Sequence, residues 1–202
     1  QNALAFQCYI NEFVYYESPT ETKQINRLEI YIEEMIKDGK QPDQKLLLCL
    51  ASYRSLFSYH WKSFINTKGF LEKIMYVQIK ENNEEQDIKQ KIKNLFNINN
   101  KVSKKVQNQY QDNPYPRWLY MNLSIPPKSI FEFLKDKKIN VFDHSIFEIS
   151  KPKVLIAGCG TGRQAIAASR RYKDCDVFAV DLSSSSLAYA QRKTKELGIK
   201  NI

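Results

Sequence analysis

Over roughly the first 110 positions the apolar residues follow the three-four spacing of helices that bury one face. Phe6, Tyr9, Ile10 and Phe13 form the first such stripe. Ser18-Pro19-Thr20-Glu21 then reads as a capping box with proline in the first turn. There the serine oxygen and the glutamate carboxylate each satisfy an orphan amide. Ile25, Leu28, Ile32, Met35 and Ile36 mark the buried side of that helix, and Gly39 supplies a left-handed stop. Pro42-Asp43 opens another helix through Leu46, Cys49, Leu50 and Tyr53, and two polar-rich helices are expected over 70–79 and 84–96. The stripes are read as core packing, and no interval recurs as it would in a solenoid.

A short helix from Ser103 is expected to precede a change of character at 109–118, Gln-Tyr-Gln-Asp-Asn-Pro-Tyr-Pro-Arg-Trp. Pro114 and Pro116 bracket Tyr115, which imposes extended backbone and forbids helix. Pro126-Pro127 opens a helix over 128–137. From Lys151 the pattern turns α/β. The apolar run 154–157 ends at Gly158-Cys159-Gly160-Thr161-Gly162, and a helix over 164–172 follows, with Ala165, Ala167 and Ala168 small enough for close approach to a sheet. A second strand over 175–180 ends at Asp181. Serines 183–186 cap a last helix that carries Leu187, Ala190, Thr194 and Leu197 on one face and stops at Gly198. A right-handed crossover makes the two strands parallel and brings the glycine loop and Asp181 to one carboxyl edge.

Composition narrows the class. Hydrophobic residues make up 43% of the 202, enough for a packed core, so a disordered or collagen-like chain is excluded. No run of about 18 apolar residues is present, and no basic-then-apolar leader opens the chain, which starts at Gln1. The formal charge is +9, yet the last 52 residues hold 10 basic against 4 acidic residues while the first 150 hold 21 against 18. The early basic residues lie among acidic ones, as on a solvated helix face, and no nucleic-acid motif accompanies them, so direct nucleic-acid binding is not expected. Cys8, Cys49, Cys159 and Cys175 are scattered without a C-x-x-C pair, which points to reduced thiols in a cytoplasmic protein. With His60 and His144 as the sole histidines, no metal site is expected.

The loop and the acid suit a nucleoside: glycines admit a ligand to the backbone, and a carboxylate at the end of the second strand can accept both ribose hydroxyls. A dinucleotide fingerprint would need glycine at 163, where Arg163 stands, and no Gly-Lys-Ser/Thr follows for a P-loop. The sequence offers G-x-G-x-G, with an acid 19 residues after Gly162.

Val154 to Gly162 together with Val180-Asp181-Leu182-Ser183 resembles the class I S-adenosylmethionine-dependent methyltransferases. Ser185 to Ala190, Glu196-Leu197-Gly198-Ile199 and the upstream Asn113-Pro114-Tyr115-Pro116-Arg117-Trp118 look like a bacterial branch whose members often carry tetratricopeptide repeats ahead of this domain. The resemblance implies an α/β chain: an α-helical region over 1–108, a Pro/aromatic linker and helix over 109–150, and over 151–202 the first half (β-α-β-α) of a doubly wound Rossmann-like domain. It implies S-adenosyl-L-methionine as cofactor, with Gly158, Cys159, Gly160, Thr161 and Gly162 against its methionine part, Asp181 on the ribose and Leu182 near the adenine. Many members have Asp or Glu two positions before the first glycine, where this chain has Ile156. The polar contact to the cofactor amino group must then come from elsewhere.

Tyr110, Tyr115, Arg117 and Trp118 are candidates for a flap over the cofactor or acceptor, or for a rigid turn that packs on the sheet. Arg163 is either a partner of the cofactor carboxylate or a surface residue. The sequence stops about where a third strand would begin, so the catalytic residues are unknown and the 202-residue chain alone is expected to be inactive. Neither the methyl acceptor, protein or small molecule, nor a protein partner for the helical region is specified. The rival readings are an NAD-dependent oxidoreductase, which Arg163 disfavours, and a non-catalytic helical scaffold with a vestigial nucleoside-binding part.

Overall fold

The computed structural model describes residues 2–66, 68–95 and 97–202. The chain divides into two compact units, Gln1–Glu84 and Glu85–Ile202.

The first unit is helical. It begins with α1 (Asn2–Ile10), α2 (Pro19–Lys37) and α3 (Gln44–Ala51). The capping box at Ser18 is formed in full: Ser18 Oγ accepts from the Glu21 amide and the Glu21 carboxylate accepts from the Ser18 amide at 2.8 Å. Gly39 takes φ +73° and closes α2 as a left-handed stop. The first stripe is shorter than expected, because α1 ends at Ile10 and Glu12 and Phe13 adopt positive φ. Phe13 still packs edge-on against Tyr9, with ring centroids 6.2 Å apart, so it keeps an apolar contact without the helix.

On α3 the deeply buried residues are Leu47, Leu48, Leu50 and Ala51, with Leu46 and Cys49 half-buried, as is Tyr53 in the turn that follows. This helix packs against both α1 and α2, so more than one stripe is covered. Helices expected over 70–79 and 84–96 are instead one helical run from Gly69 to Lys89. It comprises a 3₁₀ turn, α4 (Glu72–Met75), a π-helical turn (Tyr76–Lys80) and α5 (Glu81–Lys89), within which the first unit ends. No glycine or proline interrupts this stretch beyond Gly69, so nothing in it breaks the helix. The run stops at Lys89, five positions before the asparagine-rich 94–100. The expected end at Phe96 lies outside the described residues. Ile25, Ile32, Leu47, Leu50, Trp61 and Ile74 lie at the centre of the first unit's core.

The second unit is mixed α/β. α6 (Lys101–Asp112) starts earlier and runs further than the short helix expected from Ser103. Asn100 caps it by accepting from the Val102 and Ser103 amides at 2.9 and 3.1 Å. Tyr110 is therefore helical, and the extended stretch begins only after it. α7 (Ile130–Asp136) opens on a second capping box, Ser129 with Glu132. There follow β1 (Lys153–Ala157), α8 (Arg163–Arg171), β2 (Asp176–Val180) and α9 (Ser184–Glu196). β1 and β2 form a two-stranded parallel sheet in which Ala157 pairs with Val180. Strand alternation sends Val154, Ile156, Val177 and Ala179 onto Ala165 and Ala168 of α8. Leu155 and Phe178 lie in register on the opposite, exposed face. Among the described residues no helix is long and apolar enough to cross a membrane, and no cluster of three or more His, Cys, Asp or Glu side chains could hold a metal.

Candidate functional site at the carboxyl edge of the sheet

The glycine loop is pinned to the end of the second strand, since the Gly158 and Cys159 amides both donate to the Val180 carbonyl, at 2.8 and 3.0 Å. Its three glycines all adopt positive φ, at +70°, +52° and +84°, where a side chain is strained. Their surroundings differ. A Cβ at Gly158 or Gly160 would meet nothing within 4 Å, whereas one at Gly162 would stand 2.5 Å from the Ala190 Cβ. Gly162 thus lets the start of α8 lie against α9, while Gly158 and Gly160 leave their backbone open to a cavity.

That cavity has a volume of about 1320 Å³. Gly158, Gly160, Asp181, Leu182, Tyr110 and Tyr115 are among its lining residues. Asp181 lines it with both carboxylate oxygens engaged: Oδ2 accepts from the Gly160 amide at 2.8 Å and Oδ1 from the Ser183 amide at 2.9 Å. An ionised carboxylate has about four acceptor positions, so these bonds fix its orientation and leave capacity for a ligand. A separate cavity of about 870 Å³ lies at the other end of the strands, by Lys151, Asp176 and Asn201.

The remaining candidates separate. Cys159 turns into the core against α8, where burial, with the Asp181 charge second, pushes its thiol up to about 11. Thr161 is buried and donates to the Pro116 carbonyl at 2.8 Å, while its own carbonyl accepts from the Trp118 indole at 3.0 Å. Trp118 packs edge-on against Tyr189 of α9. Arg117 is half-buried and pairs with the Glu85 carboxylate at 3.2 Å, which Arg192 shares at 2.8 Å. Of the four flap candidates, then, Tyr110 and Tyr115 face the cavity, and Arg117 and Trp118 join the packing of the loop and α9. Arg163 is exposed at the start of α8 and is not among the cavity's lining residues.

Two residues at the site escaped the sequence reading. Gln107 donates to the Leu182 carbonyl at 2.9 Å, and Gln111 binds Ser184 and Ser185. Their spacing of four positions, which puts them on one helix face, was a signal. The spacing carries meaning only because α6 extends to Asp112, past the end that the change of character at 109 predicts.

The arrangement is a backbone-lined cradle beside an oriented carboxylate, suited to a ligand with vicinal hydroxyls. Comparison with known proteins shows what the last quarter of the chain is similar to. The family described as "Methyltransferase domain" matches residues 154–202, the stretch from the first strand onward. The release factor glutamine methyltransferase of Escherichia coli (strain K12) is 40% identical over 50 residues, covering 25% of this chain and 18% of that protein. The protein of the same name from Shigella flexneri matches equally, at 40% over 50 residues. The chain thus spans less than a fifth of the length of these relatives, 18%. No solved structure matches it.

Proposed function

We propose that the second unit binds S-adenosylmethionine at the carboxyl edge of β1 and β2 and serves methyl transfer to an acceptor. The observation that carries this reading is the pairing of two open glycines, Gly158 and Gly160, with the oriented carboxylate of Asp181 on one cavity. Bound S-adenosylmethionine supplies the activated methyl group. The chain's own residues bind and orient: Gly158 and Gly160 admit the cofactor to the backbone, Asp181 accepts the ribose hydroxyls, and Leu182 with Tyr110 and Tyr115 offers apolar surface to the base. The cavity of about 1320 Å³ exceeds the usual ligand-pocket range of roughly 300–1,000 Å³, which on this reading leaves room for more than the cofactor. On this reading residues 151–202 provide the opening half of a doubly wound, Rossmann-like domain, and the protein works in the cytoplasm.

The test is calorimetric titration of the 202-residue chain with S-adenosylhomocysteine and with NAD. S-adenosylhomocysteine is expected to bind and NAD not, because Arg163 stands where a dinucleotide fingerprint needs glycine. Asp181→Ala should weaken S-adenosylhomocysteine by about tenfold to a thousandfold, or about 1.4–4 kcal/mol, the scale of losing one or two charge-assisted hydrogen bonds. Tight NAD binding with none for S-adenosylhomocysteine would overturn the proposal, and binding of neither would favour a scaffold.

A further inference from the structure

α6 forms one wall of the cavity through Lys104, Val106, Gln107 and Tyr110, yet no residue of this helix is buried. Its apolar side chains Val102, Val106 and Tyr110 are 69%, 39% and 40% exposed. Hydrophobic burial therefore contributes little to seating it. What holds it is polar and falls on the residues that follow Asp181. Gln107 Nε2 donates to the Leu182 carbonyl at 2.9 Å, and Ser183 Oγ donates to the Tyr110 carbonyl at 2.8 Å. Gln111 Oε1 accepts from the Ser185 amide at 3.0 Å and the Ser185 hydroxyl at 2.8 Å, while Gln111 Nε2 donates to Ser184 Oγ at 3.0 Å. The single proton of the Ser185 hydroxyl is shared between Gln111 Oε1 and the Gln111 carbonyl, which lies equally near at 2.8 Å.

We infer that Gln111 is a positioning residue of the nucleoside site, acting through the 182–185 segment on the carboxylate of Asp181. The inference rests on the cofactor reading above. The path is short. Gln111 holds Ser184 and Ser185 at the first turn of α9; Ser183, in the same turn, caps α9 by accepting from the Ser186 amide at 3.0 Å and gives its own amide to Asp181 Oδ1 at 2.9 Å. The other oxygen of Asp181 is tied to the Gly160 amide at 2.8 Å. A carboxylate fixed from both sides presents its remaining lone pairs in one direction. Releasing one side lets it rotate, and a ligand must then restore the order at a cost in affinity. Gln111 touches no part of the nucleoside in this scheme.

Amide hydrogen exchange by NMR on the ligand-free chain tests the path without depending on any cofactor. In Gln111→Ala the Gly160 and Ser183 amides should exchange about tenfold faster, as their acceptor loses its orientation, while Ile156 in β1 stays as it was. Unchanged exchange at Gly160 would overturn the inference. Titration with S-adenosylhomocysteine is the second arm. Gln111→Ala should weaken binding by about tenfold, the scale of one or two lost hydrogen bonds. Gln111→Glu, which retains an acceptor for Ser185, should recover most of it. In an Asp181→Ala background the same Gln111→Ala should cost no more than about twofold, since its effect passes through that carboxylate. Equal losses in both backgrounds, with no rescue by glutamate, would show that Gln111 merely supports the wall. If the unmutated chain does not bind S-adenosylhomocysteine, the cofactor reading falls, and the exchange arm still decides whether Gln111 orders Asp181.

Discussion

Gly160 and Gly162 stand in one loop and share a left-handed backbone, yet different neighbours require them. At Gly162 an added methyl would lie 2.5 Å from the Ala190 Cβ, so the strain of φ +84° adds to an overlap that backbone must relieve. Gly162→Ala is expected to cost about 2–4 kcal/mol, combining overpacking with a left-handed alanine. At Gly160 the overlap is absent, and only the backbone strain of roughly 1–2 kcal/mol applies. Gly160→Ala should therefore melt closer to the parent protein but bind S-adenosylhomocysteine poorly, because it adds a methyl in open space to a residue that lines the cavity. Thermal melting of both variants, with calorimetry on Gly160→Ala, checks the pair. Equal losses of stability would mean that helix packing does not distinguish the two positions.

Among the elements, the helical run from Gly69 to Lys89 shows how a polar side chain can shape a core. Gln78 lies in the π-helical turn and is fully buried. Its Oε1 accepts from the Leu56 amide at 2.8 Å and its Nε2 donates to the Ala51 carbonyl at 3.1 Å, which closes the end of α3 onto the segment after it. Burying an amide and a carbonyl without partners costs about 1–3 kcal/mol each. Gln78→Leu fits the volume but strands both groups, so it should destabilise by about 2–5 kcal/mol in urea denaturation despite being more apolar. No loss of stability would mean that water or other groups satisfy Leu56 and Ala51. The capping boxes at Ser18 and Ser129 needed no such context, since Ser and Glu three positions apart satisfy each other's amides locally.

At the scale of the molecule, the buried cluster around Ile32 and Leu50 belongs to the first unit, and every residue placed at the cradle belongs to the second. Stability of the one and affinity of the other should then be separable. Ile32→Ala, at a fully buried position, is expected to cost about 2–5 kcal/mol by leaving a cavity. The dissociation constant for S-adenosylhomocysteine, measured at a temperature where the variant is folded, should stay within about twofold of the parent, as sites without shared partners behave additively. A tenfold loss would mean that the helical unit contributes to the site.

The sequence alone determined the features that obey local rules. Glycine loop, strand-end carboxylate, capping serines and the parallel β-α-β order follow from residue type and spacing over a few positions, and the structure shows them near the expected boundaries. The helix ends at Ile10 and Lys89 were less legible, because no proline or glycine stands beside them, and α6 runs on to Asp112, up to the stop that Pro114 imposes. Only the tertiary structure could divide the residues of one short turn. Tyr115 faces the cavity while Arg117 and Trp118 turn into packing on Glu85, Thr161 and Tyr189, partners that lie more than 30 positions away in the chain. The same holds for Gln111, whose partners Ser184 and Ser185 are 73 and 74 positions distant. Period and propensity describe which side of an element is apolar. Which polar group meets which across such distances is fixed by how the elements dock, and there the orientation of Asp181 was decided.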